Sequence, residues 1–301
     1  MAGPLDPFET LVALDAGGRG IARLVRPGEA RRAAESLFRG RGCLLLTGFV
    51  ARPGEAAETD GPSGTVALGR ALRQLGKAVH YLADPPVLPL LEACGKALGE
   101  PLPLIPLPGE PAAALREARA ALRSLRPTHL VAIERPGRAA DGEYYNTRGL
   151  AVTAWNAPLD GLFLRRRGVV TVGVGDGGNE VGMGRVRRAV GRCLPQGATI
   201  ASTVATDHLV VAGTSNWGAW ALVAYLSLLA GRQLLPTPEE ERRLIEAQVA
   251  AGGVDGITGQ AAPTVDGLPL VLHQRLLDLL RELTEYGLAQ GDGRRATRWE
   301  G

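Results

Sequence analysis

The chain has 301 residues, of which 45% are hydrophobic, enough for a well-buried core in one large α/β domain or two small ones. Its 34 basic and 31 acidic residues leave a net charge of +3, which gives no case for nucleic acid or an anionic membrane surface as a partner. Cys43, Cys94 and Cys193 are far apart and odd in number with no CxxC spacing, which argues against a disulfide frame or a zinc site.

In chain order, residues 29–39 have helical spacing at Ala33, Leu37 and Phe38, and residues 42–48 form the first strand. A loop rich in glycine, proline and acid leads into a helix over 64–75, with apolar Val66, Leu68, Leu72 and Leu75. Residues 78–82 are the second strand, and 86–98 a helix opened by Pro85-Pro86. Three prolines restrict 102–108 to an edge strand at best. A strongly helical stretch over 111–125 precedes a clear strand at 128–133. The irregular segment 137–161 lacks periodicity and is expected to act as a lid. Residues 169–174 are the next strand, and 199–203 and 208–211 are weaker strand candidates around Asp207. Helices follow over 217–230, capped by Ser215 or Asn216, and over 239–250 and 269–286, before a polar tail from Gly291.

Short β-rich runs alternating with longer helical ones predict an α/β fold: a Rossmann-like, open, mostly parallel sheet with helices on both faces. With no internal repeat and no low-complexity linker, residues 1–301 are expected to form one domain. The longest apolar stretch, 219–230, is too short to span a membrane, and the N-terminus lacks a signal-peptide pattern. The expectation is a soluble cytoplasmic protein, with homo-oligomer formation left open.

The most informative segment runs from Val172 to Gly184, where a buried strand ends in Gly175-Asp176-Gly177-Gly178-Asn179-Glu180. Six glycines fall in this run, more than a merely structural turn needs, and glycine lets a ligand or backbone approach closely. Such a turn at the carboxyl end of a strand is where open α/β sheets build their sites. Asp176 and Glu180, both oxygen donors, suit a hard divalent cation such as Mg2+ or Mn2+, and Asn179 is a further donor. A Gly-x-Gly-x-x-Gly spacing is present, but Asp176 would set negative charge beside a pyrophosphate, so no nucleotide cofactor is expected. A phosphatase-like reading fails because no Asp-x-Asp triplet occurs anywhere in the chain.

Three further polar clusters adjoin strand ends or helix starts. Thr59, Asp60 and Gly61 precede a helix whose N–H groups would face an anion, although a simple helix cap explains them equally well. Glu134 and Arg135 follow a strand directly; an arginine fork suits a substrate carboxylate, and an exposed salt bridge is the alternative. Asp141 and Asn146 lie in the lid segment, where turn and packing roles compete with binding. Asp207 and the run Thr214-Ser215-Asn216 place amide and hydroxyl groups at another helix start, and His208 is a possible general base, although a packed structural histidine is the simpler reading. Asp255-Gly256-Ile257-Thr258-Gly259, a polar turn between helices, would be a fifth wall of a pocket or a plain loop. The clusters around Asp60, Glu134, Asp176 and Ser215 are expected to meet in one pocket.

Gly175 to Gly184, together with Glu58 to Gly64, Ile133 to Gly142 and Thr214 to Gly218, resembles the signatures of the C-terminal domain of the D-glutamate cyclase family. The resemblance covers nearly the whole chain and keeps the order of the motifs. It implies conversion of D-glutamate to 5-oxo-D-proline, with a small acidic metabolite as the partner. In larger members of the family this domain follows a different N-terminal domain. In that setting Asp176, Glu180 and Asn179 are the expected catalytic groups, and Arg135 the expected carboxylate ligand. Two other classes stay open: a non-catalytic ligand-binding accessory domain, and a metal-dependent hydrolase.

Overall fold

The structure, a computed structural model, describes residues 5–52, 56–164 and 168–290. Strand β1 (Gly42–Thr47) is buried along its whole length, as a parallel strand covered on both faces should be. It pairs with β2 (Ala78–Ala83) on one side and β4 (His129–Ile133) on the other. β3 (Leu104–Pro106) continues from β2 to one edge, and β5 (Val170–Gly175) and β6 (His208–Val211) continue from β4 to the other. All five pairings are parallel, and the order is β3-β2-β1-β4-β5-β6, the doubly wound arrangement. A small antiparallel hairpin, β7 (Thr264–Val265) with β8 (Leu268–Pro269), stands apart from this sheet.

The helices in the first half of the chain are α1 (Pro7–Val12), α2 (Glu29–Arg39), α3 (Pro62–Gln74), α4 (Leu88–Leu98) and α5 (Pro111–Leu125). The second half contributes α6 (Arg187–Cys193), α7 (Gly197–Ile200), α8 (Ser215–Ala230), α9 (Pro238–Ala250) and α10 (Leu270–Ala289). Alternate side chains of each strand point to opposite faces. Cys43 and Leu45 of β1 pack with Val131, Ile133, Val172 and Val174 against α2, α3 and α8. Leu44 and Leu46 pack with Leu130 and Ala132 against Ala114, Ala118 and Leu122 of α5 on the other face. α8 is buried on all sides from Ser215 to Leu228, which explains why its sequence is apolar all round instead of striped.

Two expected elements differ. Residues 199–203 are not a strand: a short helical turn ends at Ile200, and the chain then runs irregularly, with Ser202 donating its N–H to Gly178. α8 begins at Ser215, and its cap is Thr214, whose hydroxyl accepts from Trp217 N–H at 3.3 Å; Ser215 and Asn216 lie inside the first turn, available for other work. The expected lid contains two short 3₁₀ turns and is pinned at Asp160, which accepts from Arg138 and from the Tyr144 hydroxyl. The polar tail and the arginine run at 165–167 fall outside the described residues. Among the described residues no helix is long and apolar enough to cross a membrane.

Connections leave β1 and β4 toward opposite edges of the sheet, which opens a crevice at their carboxyl ends. The segments that follow β1, β4, β5 and β6 all empty into it.

Candidate active site

Two helix starts face each other across the crevice and cap one another. Asp60, two residues before α3, accepts from Ser215 N–H at 2.7 Å and Asn216 N–H at 2.9 Å in the first turn of α8. Asn216 Oδ1 in return accepts from Gly61 N–H at 3.0 Å and Gly64 N–H at 2.8 Å at the start of α3. Unsatisfied amide donors of both helices are thereby used: the positive end of α8 meets the Asp60 carboxylate and that of α3 the Asn216 amide oxygen. Gly61 sits at φ +98°, and a Cβ there would stand 2.7 Å from that of Glu134, so the close approach requires glycine.

Glu134 leaves β4 in the left-handed region at φ +46°, a conformation uncommon for residues other than glycine. The turn aims its carboxyl into the crevice, where Ser215 Oγ donates to Oε2 at 2.6 Å. Asp176 follows β5 directly. Its N–H and that of Gly177 both donate to Glu180 Oε1, so Glu180 closes the glycine-rich turn on itself. Asn179 donates to Tyr145 O at 2.6 Å and so ties the turn to the lid segment.

Carboxylate oxygens of Asp60, Glu134 and Asp176 lie within 4.8 Å of one another, all buried. Glu58 and Asp266 adjoin them, making carboxyl–carboxyl contacts to Glu134 and Asp176 respectively. Two full charges at that spacing repel by about 3–4 kcal/mol even at an effective dielectric near 20. Several such pairs cannot all be ionised without protons or cations between them. Burial pushes Asp60 and Asp176 up to about 7, while backbone N–H bonds on Asp60 and the Arg19 charge beside Asp176 pull the other way. Burial, reinforced by neighbouring carboxylates, pushes Glu58, Glu134 and Asp266 well above the usual carboxylate range.

One cation reaches this floor from within. Arg19 Nη2 bonds Asp176 at 3.0 Å, Asp266 at 3.1 Å and the Gly213 carbonyl at 2.6 Å. Neither Arg19 nor Asp266 stood out in the sequence, because neither follows a strand of the main sheet. Signals existed for each. Arg19 interrupts a glycine run held by Asp15, which accepts from Arg19 and Gly20 N–H. Asp266-Gly267 is the turn of the β7–β8 hairpin, both residues at positive φ, as Asp-Gly favours in a two-residue turn.

Above the floor lies a cavity of about 30 Å³, lined by Glu58, Glu134, Asp176 and Glu180 below and by Asn146 and Arg148 of the lid segment above. Gly256 and Ile257 form a further wall, the first of the two readings open for that turn. Asp60, Thr59, Thr214, Ser215 and Asn216 lie beneath or beside this lining as its support; Thr59 donates to Thr264 O at 2.7 Å.

Three sequence-selected residues are placed differently. Arg135 is 1% exposed and holds Asp84 through two bonds of 2.9 and 2.7 Å, with the Gly48 and Ala157 carbonyls also accepting. Its fork is filled by protein, so no substrate carboxylate can use it. Asp207 sits at the amino end of β6, the opposite edge of the sheet, accepting from Thr171 N–H and hydroxyl. His208 shares that edge, beside Glu29, which supports the structural reading. Asp141 is exposed and accepts from the Tyr145 hydroxyl and Glu143 N–H, away from the cavity.

The all-oxygen donor set fits a hard cation. Glu180 Oε2 and Asn179 Oδ1 are buried with no hydrogen-bond partner, which leaves acceptors at the cavity for one. The close trio is nevertheless Asp60, Glu134 and Asp176; Glu180 is outside it, its Oε1 taken by the turn.

A family described as D-glutamate cyclase-like, C-terminal, matches residues 8–281. The human protein D-glutamate cyclase, mitochondrial, is 35% identical over 322 aligned residues, which cover 94% of this chain and 52% of that protein. The chain thus spans about half the length of this curated relative. A crystal structure of an exopolyphosphatase-related protein from Bacteroides fragilis overlaps 90% of this chain and 60% of its own, at 7% identity and a TM-score of 0.41, too distant to carry an argument. From the family match and the human relative, the chain belongs to the D-glutamate cyclase-like C-terminal family.

Proposed function

We propose that this chain converts D-glutamate to 5-oxo-D-proline at the floor formed by Asp60, Glu134 and Asp176. The observation that carries the reading is the surplus of buried carboxyl groups over cations at that floor, in a chain related to D-glutamate cyclase. An ammonium group would bind there, and a carboxylate would have to enter protonated or paired.

Cyclisation makes one C–N bond and breaks one C–O bond. The substrate nitrogen loses two protons and the departing oxygen gains two, leaving as water, so the site needs a proton relay with no net proton consumed. Asp176, raised to about 7, is suited to accept the first proton from the ammonium at neutral pH. Glu134, held neutral by burial and by its neighbours, is suited to deliver a proton to the departing oxygen. Ser215 orients Glu134 through its hydroxyl, and Glu180 orients Asp176 through the turn. Because amine and carboxyl belong to one molecule, holding the chain folded supplies much of the rate. A Mg2+ or Mn2+ ion held by Asp60, Glu134 and Asp176 would polarise a carboxyl oxygen.

The test is direct. Purified chain is incubated with D-glutamate, with and without Mg2+ or Mn2+, and 5-oxo-D-proline is followed by chiral chromatography. Asp176→Asn should lower turnover at least about a hundredfold. No 5-oxoproline from the parent chain under any of these conditions would sink the reading. If a divalent ion binds, its affinity should rise as pH increases through about 7, where Asp60 and Asp176 lose their protons.

A further inference from the structure

The cavity over the acidic floor, about 30 Å³, has room for a cation or about two water molecules. It is far too small for an amino acid. A second cavity of about 250 Å³ adjoins it and shares Arg19, Thr147 and Ile257 as common wall. Ile21, Leu194 and Ile200 give this second space an apolar side.

Arg19 stands on the boundary with its guanidinium half used. Nη2 carries all three of its hydrogen bonds, to Asp176, Asp266 and the Gly213 carbonyl. Among the described residues, Nε and Nη1 make none. We propose that Arg19 and the adjoining cavity bind the carboxylate and carbon chain of a short amino dicarboxylate whose ammonium rests on the acidic floor. This rests on the function proposed above and supplies the carboxylate ligand that Arg135 cannot be.

The geometry matches the ligand class. In an α-amino acid one carbon separates ammonium from carboxylate, so the two charges are near neighbours. Arg19 and Asp176 offer a cation and an anion 3.0 Å apart. The zwitterion would exchange partners with that pair: ammonium against Asp176, carboxylate against the unused face of Arg19. The methylenes of the side chain would lie along Ile21, Leu194 and Ile200.

Calorimetric titration with D-glutamate, and with its α-amide as a probe lacking the α-carboxylate charge, tests this on the parent chain, Arg19→Ala and Arg19→Lys. The parent chain should bind D-glutamate at least about tenfold more tightly than the amide. Arg19→Ala should lose that margin and bind both alike, and Arg19→Lys should recover only part of it, because an ammonium lacks the planar fork. A full margin kept in Arg19→Ala would overturn the proposal. Thr147→Phe, which fills the shared wall, gives a second reading should Arg19→Ala fail to fold. It should block D-glutamate and leave Mn2+ titration of the floor unchanged; undiminished D-glutamate binding would overturn the proposal as well. So would a parent chain that binds none of D-glutamate, L-glutamate and D-aspartate. Binding with the expected margin but without turnover would remove the cyclase reading and leave this subsite standing.

Discussion

Arg135 and Arg19 both meet carboxylates at the carboxyl edge of the sheet, and they could hardly be used more differently. Arg135 and Asp84 form a sealed pair, 1% and 2% exposed at the side chain, with the Gly48 and Ala157 carbonyls also accepting from Nη1 and Nη2, and Nε buried without a partner among the described residues. Arg19 faces a floor that carries more acid than it can neutralise, and among the described residues only one of its guanidinium nitrogens is engaged. An ion pair sealed in the interior holds the fold; one that borders a cavity holds room for a ligand. Position relative to a strand does not separate the two cases, whereas access of the unmet donors to a cavity does.

The sharpest way to break this contrast is Arg135→Met, which strands the Asp84 carboxylate. Loss of one partner from a buried pair costs about 3–5 kcal/mol, so a marked fall in Tm is expected. D-glutamate affinity of the folded protein should stay within about twofold of the parent, a change of under 0.5 kcal/mol on the usual scale. An unchanged Tm with collapsed affinity would return Arg135 to the site.

Glu241 sharpens the contrast from another side: an acid buried among helices, outside the site, with no cation paired to it among the described residues. Its Oε1 accepts from Ser63 Oγ at 2.8 Å, Oε2 has no partner, and burial pushes its pKa up to about 7. Because the folded value lies above the unfolded one near 4.5, its contribution to stability is full below about 4.5 and is lost as pH rises toward 7. Glu241→Gln should therefore match the parent in thermal melts at pH 4 and exceed it at pH 8, by on the order of 1–3 kcal/mol. Equal melting temperatures at pH 8 would show that this acid is not strained by its burial.

The smallest effect belongs to the opposite edge of the sheet. Asp207→Ala removes two bonds to Thr171 and should cost about 1 kcal/mol in chemical denaturation. Turnover of D-glutamate should not change, and a loss of turnover without loss of stability would mean that the amino edge takes part in the chemistry.

Much of this molecule is legible in its sequence, for local reasons. The helices Glu29–Arg39 and Pro111–Leu125 end where glycine, proline or a charged turn interrupts their spacing. The strand runs are short, apolar and bounded, so the parallel sheet and its carboxyl edge follow, and with them the meeting of Asp60, Glu134, Asp176 and Ser215. Partner choice is what stayed hidden. Arg135 and Asp84 are 51 residues apart, and Arg19 and Asp176 are 157 apart, so neither pairing leaves a mark in local pattern. The 199–203 run shows the limit from the other direction: its β-branched residues suit a strand, yet Ser202 and Thr203 donate their N–H groups to the Gly178 and Arg138 carbonyls of loops that follow β5 and β4.

The left-handed turn at Glu134 has a consequence for how the protein could change over generations. A residue with a Cβ at φ +46° stores on the order of 1 kcal/mol or more that glycine would release. Any drift or selection acting on heat resistance alone would favour glycine at this position, and the carboxyl that the turn delivers would be lost with it. A lineage that keeps glutamate there accepts a slightly weaker scaffold to keep an acid in the crevice, so the identity of this one residue should report whether a descendant still works on a substrate or has retained only the shape.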